Sequence, residues 1–456
     1  MTALFAPIAR LPDTWASNVR IEIGPGGIID KLVPNSGGQG AELLAGPVIP
    51  GMTNLHSHAF QRAMVGLAEC RGDNDDDFWS WREAMYRFLA FLEPSDVEAI
   101  AMQLYVEMVK AGYTRVCEFH YLHKDPKGAP YREREIMALA HLRAAENTGI
   151  AITLLPTLYT SGGCGGKPLK STQKRFKITP DHLVEMIHSL ERAASEAPDA
   201  AVGIGLHSLR AARPAEMKQV LDAFPDKPVH IHVSEQPKEV EECMAWSGRT
   251  PIAVLQREFG LGKKWNLVHA THITDQEIDM VAGSGANVAL CPTTEGNLGD
   301  GLFPADKYFS KTGRFGIGTD SQVSIDPREE LRLFEYGRRL GSGRRVRSVD
   351  RDNSHSGAWL WLHAAAGGNI VSGASAGKLQ KGCRADFLVI DDQSVSIVQR
   401  QGDALLDAFV FASHGSNPVK DVWVGGKRVV KDGHSPVENE AAAAFRRTMD
   451  RWKTAA

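Results

Sequence analysis

Thr53–Arg62 reads T-N-L-H-S-H-A-F-Q-R and follows the apolar run P-V-I-P-G-M. The run ends at Pro50-Gly51 and predicts a short buried strand that leads out into a loop. In a strand, residues i and i+2 share a face. His56 and His58 therefore present two imidazoles on one side of a strand end. Zinc takes neutral imidazole nitrogens that converge from one direction, so His-x-His at a strand end is half of a metal site. Alone, such a pair is more often two polar loop histidines, and matching ligands downstream decide.

Working outward, short apolar runs alternate with longer amphipathic stretches from Gly46 onward. The runs are 46–50, 114–121, 150–157, 201–207, 228–233, 266–270, 287–292 and 314–320. Between them lie helical patterns such as residues 95–112, opened by Pro94-Ser95 and closed at Gly112, and residues 180–196. Eight strand–helix units predict an α/β fold, a (β/α)8 TIM-like barrel with its site at the strand C-termini. Residues 1–46 read as short extended pieces. From Ala385 three further β stretches follow, A-D-F-L-V-I-D-D, D-A-F-V-F-A-S and V-K-D-V-W-V-G-G-K-R-V-V. The predicted division is a barrel over 47–370 and a small β-sandwich domain built from 1–46 and 371–456, with a helical or frayed tail from 436.

The 456 residues are 43% hydrophobic and 23% charged, with a net charge of −3. That balance argues against a nucleic-acid partner or an anionic membrane surface. No apolar stretch approaches the roughly 20 residues that span a bilayer. The first residues lack a charged segment followed by a long apolar one, so a cytoplasmic protein is expected. Six scattered cysteines without C-x-x-C read as reduced thiols. The acidic run Asp73–Asp77 reads as a solvated loop, residues 161–176 as a mobile active-site loop, and the basic run 338–347 as a solvated or interface helix end.

The predicted strand ends carry a recurring kind of residue. Strand 1 ends in His56 and His58, and strand 2 in Glu118, His120 and Tyr121. Strand 4 ends in His207 and Arg210, and strand 5 in His230, His232 and Glu235. Strand 6 ends in His269 and His272, and strand 8 in Asp320. Three histidines and a carboxylate suit one divalent cation, zinc by ligand type, with a position left for water. The metal makes that water acidic, and nearby carboxylate and imidazole groups can move its proton and stabilise a tetrahedral centre. This is chemistry for hydrolysis at an sp² carbon.

T-N-L-H-S-H, H-I-H-V-S-E, L-V-H-A-T-H and G-T-D-S, in that order, resemble the amidohydrolase superfamily over nearly the whole chain. Longer stretches resemble the formiminoglutamate deiminase family within it. They are residues 56–69, F-W-S-W-R-E-A-M-Y, E-F-H-Y-L-H, G-L-H-S-L-R-A, H-V-S-E-Q and C-P-T-T-E-G-N-L-G-D-G. The resemblance implies one Zn2+ per chain on His56, His58, His232 and Asp320. It implies Glu235 and His269 as catalytic beside Asp320, and substrate contacts from Gln61, Arg82, Tyr121, His207 and Arg210. The implied reaction is deimination of N-formimino-L-glutamate to N-formyl-L-glutamate and ammonia in histidine degradation, in a homodimer. Asp320 or His269 takes the first proton from water and Glu235 passes one to the departing nitrogen. The alternative is another deaminase of the superfamily acting on a nucleobase or related ring.

The residues suit a dicarboxylate. Arg82 and Arg210 can bind carboxylates bidentately, Tyr121 and His207 add donors, and Gln61 can meet the formimino nitrogen. No lysine stands at these strand ends, which favours one metal, although Glu118 is placed to serve as a bridging carboxylate. His230 reads as a packed strand residue and His272 as structural or supporting. His120 and His123 flank Tyr121 and are given no role.

Overall fold

Runs that are apolar on both faces form parallel strands, because helices cover one face and the barrel interior the other. In the computed structural model, which describes residues 2–70, 77–412, 415 and 417–455, eight such strands form a barrel. They are barrel strand 1 (Met52–Ser57), 2 (Tyr113–His120), 3 (Ala151–Leu158), 4 (Ala200–Val202 with Ile204–Leu206), 5 (Val229–Val233), 6 (Trp265–His269), 7 (Asn287–Leu290) and 8 (Arg314–Ile317). Both halves of strand 4 pair with strand 3, its second half pairs with strand 5, and Ile317 of strand 8 pairs with Asn54 of strand 1. The barrel is thereby closed, as the alternation of runs predicts.

Helix boundaries follow local signals. Helix Pro94–Ala111 has proline at its start and Gly112 at φ 110° at its end, a left-handed stop that glycine adopts without strain. Asp77 caps helix Phe78–Leu89, accepting from the backbone N–H groups of Trp79 and Ser80. The rest of the acidic run, 73–76, lies outside the described residues. One apolar cluster joins Leu55, Phe119, Leu155, Val268 and Ala289 to Met85, Tyr86 and Leu89 of helix Phe78–Leu89. That contact seats the helix over the mouth of the barrel.

Two sequence expectations need correction. The run Gly46–Pro50, expected as the first barrel strand, lies in a second sheet, where Val48 pairs with Ala9 and with Val389. The first barrel strand is Met52–Ser57 itself. Hydropathy misses it because its polar residues are satisfied inside: Asn54 Nδ2 donates to Thr319 Oγ1 (2.7 Å) and Asn54 Oδ1 accepts from Thr319 N (3.1 Å). The stretch D-A-F-V-F-A-S, expected as β, falls in helix Asp403–Phe411 as far as it is described. Leu405, Leu406, Phe409 and Val410 are buried, which is helical spacing, but over so short a run the two periods are hard to separate.

The second sheet runs in the order Lys427–Val430, Val419–Val424, Phe387–Ile390, Val48–Pro50, Thr2–Arg10, Trp15–Ile23, Ile29–Val33. It joins both ends of the chain, as expected of the terminal segments. Gly425 and Gly426, at φ 53° and 74°, make the turn that joins Val419–Val424 to Lys427–Val430 as a hairpin. Trp361, fully buried on helix Ser356–Val371, donates its indole N–H to the Pro50 carbonyl (3.0 Å), pinning the passage from this sheet into the barrel.

Candidate active site

Strands 1, 5 and 8 bring four side chains to one point. His56 Nε2 lies 3.1 Å from His58 Nε2 and 2.9 Å from His232 Nε2, and the latter two are 3.3 Å apart. Asp320 Oδ1 stands 3.4 Å and 3.3 Å from the Nε2 atoms of His56 and His58. Gly318 makes this approach possible, since a Cβ there would sit 2.7 Å from the His56 Cβ. The chain turns out of strands 5, 6 and 8 through left-handed residues at Ser234, His269, Ala270 and Asp320. Such conformations cost about 1–3 kcal/mol each and persist where the surroundings hold them.

The donor set fits a metal. His58 Nδ1 donates to the Phe119 carbonyl (3.0 Å) and His232 Nδ1 to the His207 carbonyl (2.8 Å). Their Nε2 atoms are then lone-pair acceptors facing each other, with no proton to share. Burial lowers His58 to about 4 and holds His56 and His232 well below the usual imidazole range, so all three are neutral. The two imidazole lone pairs and the Asp320 carboxylate converge beside His56 Nε2, an arrangement that a cation between them would satisfy. A tetrahedral zinc site, with bonds of about 2.0–2.1 Å, has ligand–ligand edges of about 3.3–3.4 Å. Burial lifts Asp320 to about 7 in the absence of a cation; a divalent cation favours its ionised form.

Charged side chains surround this cluster. His269 Nε2 is 3.6 Å from Asp320 Oδ2 and 3.6 Å from Glu235 Oε1. Burial depresses His269, but the carboxylates of Glu235, Asp320 and Glu295 together raise it to about 10. Burial alone would raise Glu235; His269 and Arg210 outweigh it and hold the carboxyl below its usual range. Arg210 donates to Glu235 Oε2 at 2.8 Å and lies 3.8 Å from Glu239.

A pocket opens from the cluster. Every expected substrate residue lines it: Gln61, Arg82, Tyr121, His207 and Arg210. The Gln61 amide donates to Tyr121 Oη (3.4 Å), while its Oε1 is buried without a partner. The Arg82 guanidinium lies 4.5 Å from the Trp79 ring centre, and the Nε atoms of Arg82 and Arg210 are buried and unpartnered. The walls were not read from the sequence. Phe78, Trp81, Met85 and Tyr86 share a stripe with Arg82 at spacings of three and four, a pattern that was legible. Tyr159 and Phe176 come from beyond strand 3, whose end bore no chemical signature. Within loop 161–176, Gln173 donates to Tyr159 Oη (2.9 Å), which ties the loop to the pocket.

Other candidates fall outside the pocket. Glu118 accepts from Ser57 Oγ (2.6 Å), Ala59 N (2.7 Å) and Tyr105 Oη (3.2 Å), so it holds the end of strand 1 rather than bridging metals. His230 donates to the Val371 carbonyl (2.7 Å) and His272 to the Asp300 carbonyl (2.8 Å), both packed. His120 and His123 pack edge to face against each other, and neither lines the pocket. In the basic run, Arg338 and Arg347 pair with Asp306, and Arg339 with Glu335.

Comparison with known proteins agrees with this geometry. The model described as "Amidohydrolase family" matches residues 48–429, and that described as "Formimidoylglutamate deiminase HutF, N-terminal domain" matches residues 1–45. A formimidoylglutamate deiminase of Pseudomonas aeruginosa is 47% identical over 446 residues, covering 98% of each chain. The crystal structure of an amidohydrolase from Brucella melitensis superposes with a TM-score of 0.94 at 42% identity, covering 99% of this chain and 100% of that one. An adenosine deaminase from Xanthomonas campestris with bound zinc has a TM-score of 0.80 at 19% identity, covering 99% of this chain and 98% of its own, a likeness of fold alone.

Proposed function

The chain belongs to the amidohydrolase family, and within it we propose a formimidoylglutamate deiminase that hydrolyses N-formimino-L-glutamate to N-formyl-L-glutamate and ammonia in histidine degradation. The observation that carries the substrate is a pocket with a cluster of four potential metal ligands at one end and two arginines, the half-buried Arg82 and the buried Arg210, on its walls. A small dicarboxylate with an amidine-like carbon needs both ends. A neutral ring would gain little from two guanidinium groups.

His56, His58, His232 and Asp320 would hold one zinc ion, which when bound makes a water nucleophilic at neutral pH. The remaining roles belong to the chain. Arg82 and Arg210 bind the substrate carboxylates, and Tyr121 and His207 add contacts along its length. The free Gln61 Oε1 accepts from the formimino N–H. His269, 3.6 Å from both Asp320 and Glu235, stabilises the carbon as it becomes tetrahedral. Water's oxygen adds to the formimino carbon, and Asp320 or His269 takes the proton released. Glu235, 3.6 Å from His269 Nε2, receives that proton and passes it to the nitrogen as the C–N bond breaks, and ammonia leaves.

The same reading includes a barrel over 47–370 flanked by segments 1–46 and 371–456, with Val48–Pro50 belonging to the terminal sheet and leading into barrel strand 1. It includes a homodimer, supported by the exposed apolar side chains of Leu302, Leu333, Tyr336 and Leu340 on and against helix Pro327–Ser342. Among the described residues no helix is long and apolar enough to cross a membrane. The test is ammonia release from N-formimino-L-glutamate, N-formimino-L-aspartate, guanine and adenosine, assayed together. Turnover of a ring without turnover of a formimino acid would overturn the reading.

A further inference from the structure

Glu295 lies beyond every role assigned so far. It sits on helix Pro292–Leu298, directly after strand 7, and is 6% exposed. Its Oε1 accepts from the Cys291 backbone N–H (2.9 Å) and stands 3.2 Å from His269 Nδ1. Its own backbone N–H donates to the Cys291 carbonyl (2.8 Å). The carboxylate is therefore clamped to the helix start and held against one edge of the His269 ring. The other edge, Nε2, faces Glu235 and Asp320 at 3.6 Å each and has no hydrogen-bond partner. The ring is also stacked on His232, centroids 5.7 Å apart and planes 18° from parallel.

We propose that Glu295 is a positioning residue that keeps a proton on His269 Nδ1 and so presents Nε2 to the reacting atoms. A carboxylate can only accept, so Nδ1 must donate to it. Whatever proton His269 exchanges then moves at Nε2, the edge that faces the pocket. His269 and its neighbour Ala270 both have left-handed backbones (φ 69° and 52°) held by pairing with Val233, and Glu295 fixes the ring that this backbone presents. His269, Cys291 and Glu295 also lie close enough to suggest a second metal site. Burial raises the Cys291 thiol well above its ordinary range, so it stays protonated and is a poor ligand. An orienting carboxylate explains the trio better.

This inference rests on the deiminase reading, and the experiment separates the two. Kinetics on N-formimino-L-glutamate and metal content are measured for the wild type, Glu295→Ala, Glu295→Gln, His269→Asn and His269→Asn/Glu295→Ala. Glu295→Ala is expected to lower kcat by about 10- to 100-fold, the usual effect of removing such a partner. KM and metal content should stay near the wild-type values. Glu295→Gln, whose amide oxygen can still accept from Nδ1, should recover part of the loss. In the His269→Asn background, removing Glu295 should cost nothing further, because the two act as a unit. Wild-type kcat in Glu295→Ala, an equal loss in both backgrounds, or the loss of one metal equivalent would overturn the proposal. Nitrogen NMR of the wild-type imidazole provides a readout independent of variants, and a His269 protonated only at Nε2 would also overturn it. A wild type inactive on formimino acids would instead defeat the functional reading.

Discussion

The two pocket arginines should fail in different ways when replaced by methionine. Arg82 lies over Trp79 at 4.5 Å, and no ion pair to it is found among the described residues. Losing the cation–π contact costs about 0.5–1 kcal/mol, or somewhat more where it is desolvated. Losing a charge-assisted bond to a substrate carboxylate costs about 1.5–3 kcal/mol, which is roughly 10- to 150-fold in KM. Arg82→Met should therefore raise KM by that factor and barely move Tm. Arg210 is buried against Glu235 (2.8 Å) and Glu239 (3.8 Å). Its removal leaves the buried Glu239 without a counter-charge and Glu235 with His269 alone, and breaking such a pair costs about 3–5 kcal/mol. Glu235 would also lose one of the partners that hold its carboxyl low. Arg210→Met should thus raise KM, lower kcat and lower Tm together. Ammonia release gives the kinetic constants and thermal denaturation gives Tm. Arg82→Met with wild-type KM would refute carboxylate binding at that site. Arg210→Met with wild-type Tm would refute the energetic weight given to its ion pair.

Other outcomes follow from the same structure. Burial raises Glu118 from 4.5 to about 7, so its neutral form suits the folded state; that contribution is full below about pH 4.5 and is lost as pH rises through 7. Glu118→Gln should gain on the wild type by up to about 3 kcal/mol between pH 5 and 8 in urea denaturation, and parallel curves would contradict the assignment. Chelation should abolish ammonia release and added zinc should restore it, while His232→Ala should lower metal content measured by elemental analysis; full activity in metal-free protein would remove the role given to the four ligands. Leu340, 85% exposed, should make Leu340→Glu monomeric in sedimentation with its fold intact, and an unchanged assembly would exclude this helix as the contact.

Much of this protein was legible along the chain because its signals are local. Period-two and 3.6 patterns, proline starts and glycine stops mark the strands and helices, and a barrel collects its strand ends on one rim. His56, His58, His232, Glu235, His269 and Asp320 fall on that rim among other polar residues, and it is the resemblance to the amidohydrolase superfamily that picks them out. What tertiary structure decided is everything that depends on which groups face each other. The run 46–50 is as apolar as a barrel strand, and only pairing with Ala9 and Val389 assigns it to the other sheet. Glu118 stands two residues from His120 on a strand that ends at the site, yet its hydrogen bonds turn it away from the metal cluster. Arg210 reads as a cation for a substrate carboxylate and is paired with Glu235, 25 residues away. Glu295 carries no signal in its own neighbourhood, because its partner is 26 residues distant and reaches it only when strands 6 and 7 lie side by side. The opening His-x-His follows the same rule: local spacing orients the two imidazoles, and barrel closure brings His232 and Asp320 within reach to make them a metal site.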